Sequence, residues 1–163
     1  MKYLIFLLPI FLQAQYPSFY LDKITTSYAN IYDDDVSQTV AMASNAVWYS
    51  IDTVTTFIGQ NVDSTAGRLI VRDNGIYNVN YSVSFNGTAA TVYHIAVHKN
   101  SVKQDNLSIE RRIGTANDVG NAGGTGVLSL SVNDTLDLRV NSSGNSKNFI
   151  YTHINLSILK IGK

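Results

Sequence analysis

The run Gly75-Ile76-Tyr77-Asn78-Val79-Asn80-Tyr81-Ser82-Val83-Ser84-Phe85 constrains this chain more than any other stretch. From Tyr77 onward every odd position is large and apolar, and every even position (Asn78, Asn80, Ser82, Ser84) is small or polar. Side chains on a strand point alternately to opposite faces, so the run is one long strand with a dry face and a wet face. Burying Tyr77, Val79, Tyr81, Val83 and Phe85 contributes roughly 8–15 kcal/mol of transfer free energy before chain entropy is subtracted. Asp73-Asn74-Gly75 supplies the turn before the strand, and Asn86-Gly87-Thr88 breaks it.

The remaining order is built from shorter pieces of the same kind. Val36 to Ala43, Ala46 to Phe57 and Arg68 to Arg72 read as strands rich in β-branched and aromatic residues. Val92 to Lys99 alternates Tyr93, Ile95 and Val97 against His94 and His98, which the pattern turns to solvent; Leu107 to Ile113 follows as another strand. Gly120-Asn121-Ala122-Gly123-Gly124-Thr125-Gly126 reads as a flexible loop, since it lacks the Gly-Lys-Ser/Thr ending of a phosphate loop and no helix pattern follows it. Leu128, Leu130 and Val132, then Leu136, Leu138 and Val140, predict a hairpin around Asn133-Asp134. Phe149 to Ile161 is the final strand. With about eight strands and Asn/Gly/Ser turns, residues 36–163 predict an all-β antiparallel sandwich or jelly roll. Residues 21–35 show little periodicity and read as a linker or arm.

Composition narrows the chemistry. Lys plus Arg and Asp plus Glu number 12 each, so the general electrostatic argument for nucleic acid or an anionic membrane is missing. Only 15% of residues are charged, and the polarity comes from Asn, Ser and Thr. There is no cysteine, which excludes disulfides and thiolate catalysis. No Gly-x-Ser-x-Gly element or acid–histidine–nucleophile spacing is present, so we expect no catalytic residues, no cofactor and no enzyme activity. Asp33-Asp34-Asp35 lacks the alternating ligands and fixed glycine of a calcium loop and reads as a solvated turn. His94 and His98 lie ~13 Å apart on a strand, too far to share a metal ion.

At the N-terminus, Met1-Lys2 precedes an apolar run from Tyr3 to Leu12 and then Gln13-Ala14-Gln15. Residues 1–20 read as a secretory signal peptide cleaved after Ala14 or as an apolar arm packing on partner subunits. The run is shorter than the ~20 residues a membrane span needs, so no membrane contact is expected in the mature form.

Three pieces, Gly75 to Tyr81, the strand ending Val97-His98-Lys99-Asn100, and Leu128-Ser129-Leu130-Ser131-Val132-Asn133-Asp134-Thr135-Leu136-Asp137-Leu138, occur in this order. Together they resemble the jelly-roll family of tumour necrosis factor and the complement globular head, with Asn133 where that family usually has Gly. A narrower resemblance is to phage virion proteins on the same jelly roll, carried by Tyr28-Ala29-Asn30-Ile31-Tyr32, Gln38-Thr39-Val40 and Val47-Trp48-Tyr49-Ser50-Ile51. The resemblance implies a homotrimer. It also implies a virion surface protein, either a capsid decoration, a head fibre or a host-attachment protein contacting other virion proteins or a host receptor or glycan. The alternative is a secreted or cell-surface bacterial binding or adhesion module.

Composition adds to the trimer reading, because ten tyrosines and six phenylalanines are more than a small sandwich needs to bury. Trp48 and Tyr49 are the candidate interface residues, with sugar stacking as the other role for Trp48. The loops 86–91 and 112–126 are expected to project outward, which makes Asn86, Thr88, Thr91, Asn117, Asn121 and Thr125 the candidate partner contacts.

Overall fold

The computed structural model describes residues 26–34, 37–116 and 118–163. They form two packed antiparallel sheets, the jelly-roll sandwich the strand pattern predicts. The first sheet runs β10 (Gly120–Leu130), β7 (Gly75–Gly87), β12 (Lys147–Gly162), β1 (Tyr28–Asp33), β4 (Thr56–Gln60), with β2 (Gln38–Met42) also paired to β12. The second runs β5 (Val62–Thr65), β6 (Arg68–Val71), β11 (Thr135–Ser142), β8 (Thr91–Lys99), β9 (Val102–Ile113), with β3 (Tyr49–Ser50) also on β11.

The dry face of β7 is the centre of the core. Tyr77, Val79, Tyr81, Val83 and Phe85 are all at most 4% exposed, whereas Asn80 and Ser82 face solvent. Across the sandwich they meet Tyr93, Ile95 and Val97 of β8 and Leu136, Leu138 and Val140 of β11. Phe85, Tyr93 and Phe149 form a ring cluster with centroids 4.5–5.6 Å apart. The buried tyrosines keep their hydroxyls bonded: Tyr77 Oη donates to the Asp73 carbonyl (2.7 Å) and Tyr93 Oη to the Asn148 carbonyl (2.5 Å). A buried hydroxyl left unpaired would cost about 1–3 kcal/mol.

Along β12 the buried positions are Phe149 and Tyr151, then Ile154, Leu156 and Ile158. The switch from odd to even is made by a bulge between Tyr151 and His153 in the pairing with β7. One extra residue on a strand reverses which face every later side chain takes.

Several expectations are corrected. Residues 28–33, assigned to a linker, are β1, which pairs β12 on one side and β4 on the other and buries Ala29 and Ile31. The single strand expected over Ala46 to Phe57 is broken into β3 on the second sheet and β4 on the first, so the chain crosses between layers there.

The hairpin expected at Asn133-Asp134 is also a crossover. β10 pairs β7 in the first sheet, and β11 pairs β6, β8 and β3 in the second. The two apolar runs therefore belong to different sheets, and Leu128, Leu130, Leu136, Leu138 and Val140 all contribute to the core. The Asp134 carboxylate holds the crossing: it accepts from the Ser131 amide (2.7 Å) and Asn100 Nδ2 (2.6 Å) and sits 3.0 Å from Lys99 Nζ. Burial pushes its pKa up, but these three partners outweigh burial and leave the group below the ordinary carboxylate range.

The glycine-rich stretch is a strand, not a loop, because Tyr81 needs the space. Gly124 lies opposite Tyr81, and a Cβ there would come within 2.8 Å of its ring. Gly124→Ala is therefore expected to destabilise the protein by about 1–3 kcal/mol through overpacking, read from the denaturant midpoint. By the same measurement Val83→Ala should cost about 1–3 kcal/mol and Ser82→Ala no more than about 0.5, and equal costs on the two faces would refute the face assignment.

Candidate functional site

Two surfaces stand out. The first is one end of the sandwich, where the β7–β8 loop (88–90), the β9–β10 loop (114–119), the β11–β12 loop (143–146) and the turn after β2 meet. Backbone bonds tie them together: the Ala90 amide donates to the Gly114 carbonyl (3.3 Å) and the Ser146 amide to the Ala43 carbonyl (3.3 Å). The Asn45 amide donates to Asn145 Oδ1 (2.9 Å). The residues here are mostly Ala, Gly, Ser, Thr and Asn, so the end is nearly uncharged.

The second surface is the outer face of the first sheet. Register places Gln60, Tyr28, Leu159, Asn78 and Val127 in one row, and Ile58, Asn30, Ser157, Asn80 and Thr125 in the next. Thr56, Tyr32, Asn155, Ser82 and Gly123 follow, then His153, Ser84 and Asn121. None of these positions is Asp, Glu, Lys or Arg. Ile58 (55%), Val127 (49%), Leu159 (46%) and Tyr28 (38%) are exposed on or beside it. In its midst Asn30 Oδ1 is buried without a hydrogen-bond partner, and a buried acceptor left so is costly. At the polar end a shallow depression of about 480 Å³ is lined by Tyr32, Asp34, Ser84, Asn121, His153 and Asn155 among others.

The predicted contact residues are split between these surfaces. Thr88 lies in the loop end but is half-buried and structural: its amide donates to Tyr93 Oη (2.7 Å) and its Oγ1 accepts from the Asn148 amide (3.2 Å). Asn86 is the penultimate residue of β7, with Oδ1 buried and unpartnered. Thr91 is corrected: it begins β8, is 1% exposed, and cannot contact a partner. Asn121 and Thr125 are corrected from loop tips to outward positions on β10, and Asn121 Oδ1 accepts from Ser84 Oγ (2.7 Å). Asn117 lies outside the described residues, as do residues 1–25 and Asp35. Three tyrosines and three phenylalanines fall within residues 1–25, so much of the aromatic surplus does too.

Trp48 and Tyr49 sit on the other sheet. Tyr49 points inward against the core and its Oη accepts from the Ser44 amide (2.9 Å). Trp48 lies half-buried on the outside of the second sheet, its ring centroid 5.0 Å from that of His98. His98 was expected to face solvent and is instead 2% exposed, covered by that indole. Burial pulls its pKa below the ordinary value, and the nearby Arg139 and Lys103 act the same way, against the Ala96 carbonyl and Asp137. His94 is half-exposed, with Nδ1 3.0 Å from Glu110 Oε1. Asp33, read as part of a solvated turn, is buried to 9% and accepts from the Thr55 amide and hydroxyl (3.3 Å each), while Asp34 is exposed.

The group that sequence reasoning missed is Asp137 with Arg139. Both occupy outward positions of β11, between Leu136, Leu138 and Val140, and Asp137 is the register partner of His98. That alternation was visible, but nothing in it showed that Trp48 would fold over the same spot. Among the described residues, no group of three His, Cys, Asp or Glu side chains is placed to hold a metal ion. Millimolar calcium or micromolar zinc should leave the melting temperature unchanged, and a rise of several degrees would reveal a site.

The chain matches no protein-family model and no curated protein. Its fold is that of TNF-like jelly rolls. The structure of the Eiger TNF from S. frugiperda superposes with a TM-score of 0.62 at 11% identity, covering 85% of this chain and 94% of that one. Murine APRIL at pH 8.5 superposes with a TM-score of 0.56 at 13% identity, covering 83% and 99% respectively.

Proposed function

We propose that the chain is a non-catalytic, secreted or cell-surface binding module. It works as a homotrimer that buries the outer face of the first sheet and presents the loop end to a receptor protein or glycan. The observation that carries this reading is the uncharged outer face described above. A solvated sheet face ordinarily carries Lys, Arg, Glu or Asp, and an uncharged face with exposed Ile, Val, Leu and Tyr marks a contact surface. A buried, unpaired Asn30 Oδ1 in its midst fits a donor supplied by a neighbouring subunit.

The number three comes from the resemblance to TNF-like jelly rolls. A heterologous contact that closes in a ring covers such a face on every copy without building fibres. Trp48 and Tyr49, on the opposite sheet, do not belong to this contact. The loop end suits partner binding because small uncharged residues on tied loops present backbone and amide groups without a desolvation cost for charge. A virion-surface role rests on the order of sequence motifs alone. The secreted reading has the apolar N-terminal run in its favour and is supported by the similarity of the fold to the Eiger TNF and APRIL.

Light scattering on the purified protein should give the mass of three chains at micromolar concentration, with an interface burying about 2,000 Å² or more in total. Leu159→Glu should yield a monomer with unchanged far-UV circular dichroism, because it places a charge on the covered face without touching the core. One or two chains for the wild type would overturn the trimer. N-terminal sequencing of the native protein tests secretion: a start near Gln15 supports it, and a start at Met1 or Lys2 opposes it.

A further inference from the structure

The only tryptophan of the chain covers a buried histidine. The segment from Ala43 to Ile51 leaves the first sheet at β2 and straps across the second. Asn141 Nδ2 donates to the Asn45 and Val47 carbonyls (3.0 and 2.8 Å), and the Ile51 amide donates to the Leu138 carbonyl (3.0 Å). These bonds fix the strap on either side of Trp48. Between them the indole lies over His98 with Lys103 Nζ 5.8 Å from its centroid.

Beneath the indole, His98 Nδ1 is 3.4 Å from the Ala96 carbonyl, so that nitrogen carries the hydrogen and Nε2 is the position that takes up a proton. The charged groups around it are already committed. Asp137, 1% exposed, accepts from Arg139 Nε (2.8 Å) and Ser50 Oγ (3.2 Å), with Arg68 Nε 3.8 Å away. Arg139 also donates to Ser101 Oγ (2.9 Å). Facing His98 are therefore Asp137 and Arg139 from β11, Lys103 from β9 and the uncharged indole from the strap, with Arg68 of β6 behind Asp137. Among the groups acting on His98 the cations outnumber the one carboxylate, which is shared between two arginines, while Lys103 is itself paired to the exposed Asp105 (2.9 Å). The indole face would attract an imidazolium, but Lys103 already lies over the same ring.

We propose that Trp48 is an acid-released cover: protonation of His98 drives the indole off the second sheet and opens the His98–Asp137–Arg139 cluster to solvent while the sandwich stays folded. The direction follows from burial. The closed form binds the proton less readily than a free imidazole, whose pKa is about 6.5. Its closure is therefore fully stabilised above that value and is lost as pH falls below it. The inference is independent of the trimer reading, since this cluster lies on the sheet opposite the proposed contact.

A single tryptophan makes the test direct. As pH falls from 8 to 4.5, Trp48 emission should shift to the red and acrylamide quenching should rise, with a midpoint below about 6.5. Far-UV circular dichroism and the light-scattering mass should stay constant. His98→Phe and His98→Gln should abolish the transition, and His94→Gln and His153→Gln should keep it. NMR titration of the wild-type His98 ring should follow the same midpoint and does not depend on any variant folding. The proposal is overturned if the transition survives both His98 substitutions or vanishes in His94→Gln or His153→Gln. It also fails if the His98 ring titrates with no change in Trp48 emission, or if emission moves only together with circular dichroism or with mass.

Discussion

The fold depends on the ladder between β7 and β12. These are the two long neighbouring strands at the middle of the first sheet, and each presents an unbroken row of large side chains to the core. Their pairing fixes the floor on which the second sheet lies. A slip by one residue would turn Tyr77, Val79, Tyr81, Val83 and Phe85 outward together, so register is strongly specified. It changes at the Thr152 bulge within the core-facing span, and again between Lys160 and Gly162 at the end of the strand. The Thr152 bulge lets Phe149 and Tyr151 serve one half of the core and Ile154, Leu156 and Ile158 the other, and the flank of β12 is divided accordingly, with β2 along the first half and β1 along the second.

The two outer faces of the sandwich are solved differently. The first sheet shows water, or a neighbour, a surface with no formal charge in its central rows. The second carries Asp137, Arg139, Arg68, Lys103 and His98 close together and folds a strap of its own chain over part of them. A buried carboxylate such as Asp137 is tolerated because Arg139, Arg68 and Ser50 surround it, and removing one partner of such a group costs more than the pair contributes. The protein thus covers one sheet internally and leaves the other available, which is a physical basis for assigning different roles to the two sides.

Where side chains alternate, the strand and its dry face were legible in the sequence, because alternation is a local signal that burial enforces; β1 and the glycine-rich start of β10 lack it and were not. β7, β8 and β11 show it residue by residue. What the sequence did not disclose was pairing. The runs on either side of Asn133-Asp134 alternate in the same way whether they form a hairpin or enter different sheets, so periodicity could not separate the two. The carboxylate of Asp134, which caps Ser131 rather than closing a two-residue turn, was the available hint. The parity change along Phe149, Tyr151 and Ile154 was likewise written in the sequence and marks the bulge. Gly120 to Gly126 misled because glycine signals turns by its own freedom, whereas here Gly124 is set by the bulk of Tyr81 opposite. The burial of His98 was not legible, since it depends on a strap from fifty residues away whose path only the tertiary structure defines.

The position of β12 has a consequence for how the chain is made. Among the described residues it follows every other strand in order, yet it lies between β7 and β1. A ribosome delivering the chain from its N-terminal side presents β7 and β1 long before their common neighbour exists. Until β12 arrives, each leaves a strand edge and an apolar face without cover, the state most prone to mispairing and aggregation. Closure of the first sheet thus waits until β12 has been made and requires contacts far apart in sequence, which slows folding. A nascent chain of this kind is held open by its own topology, a condition compatible with threading through a translocation pore before the sandwich shuts.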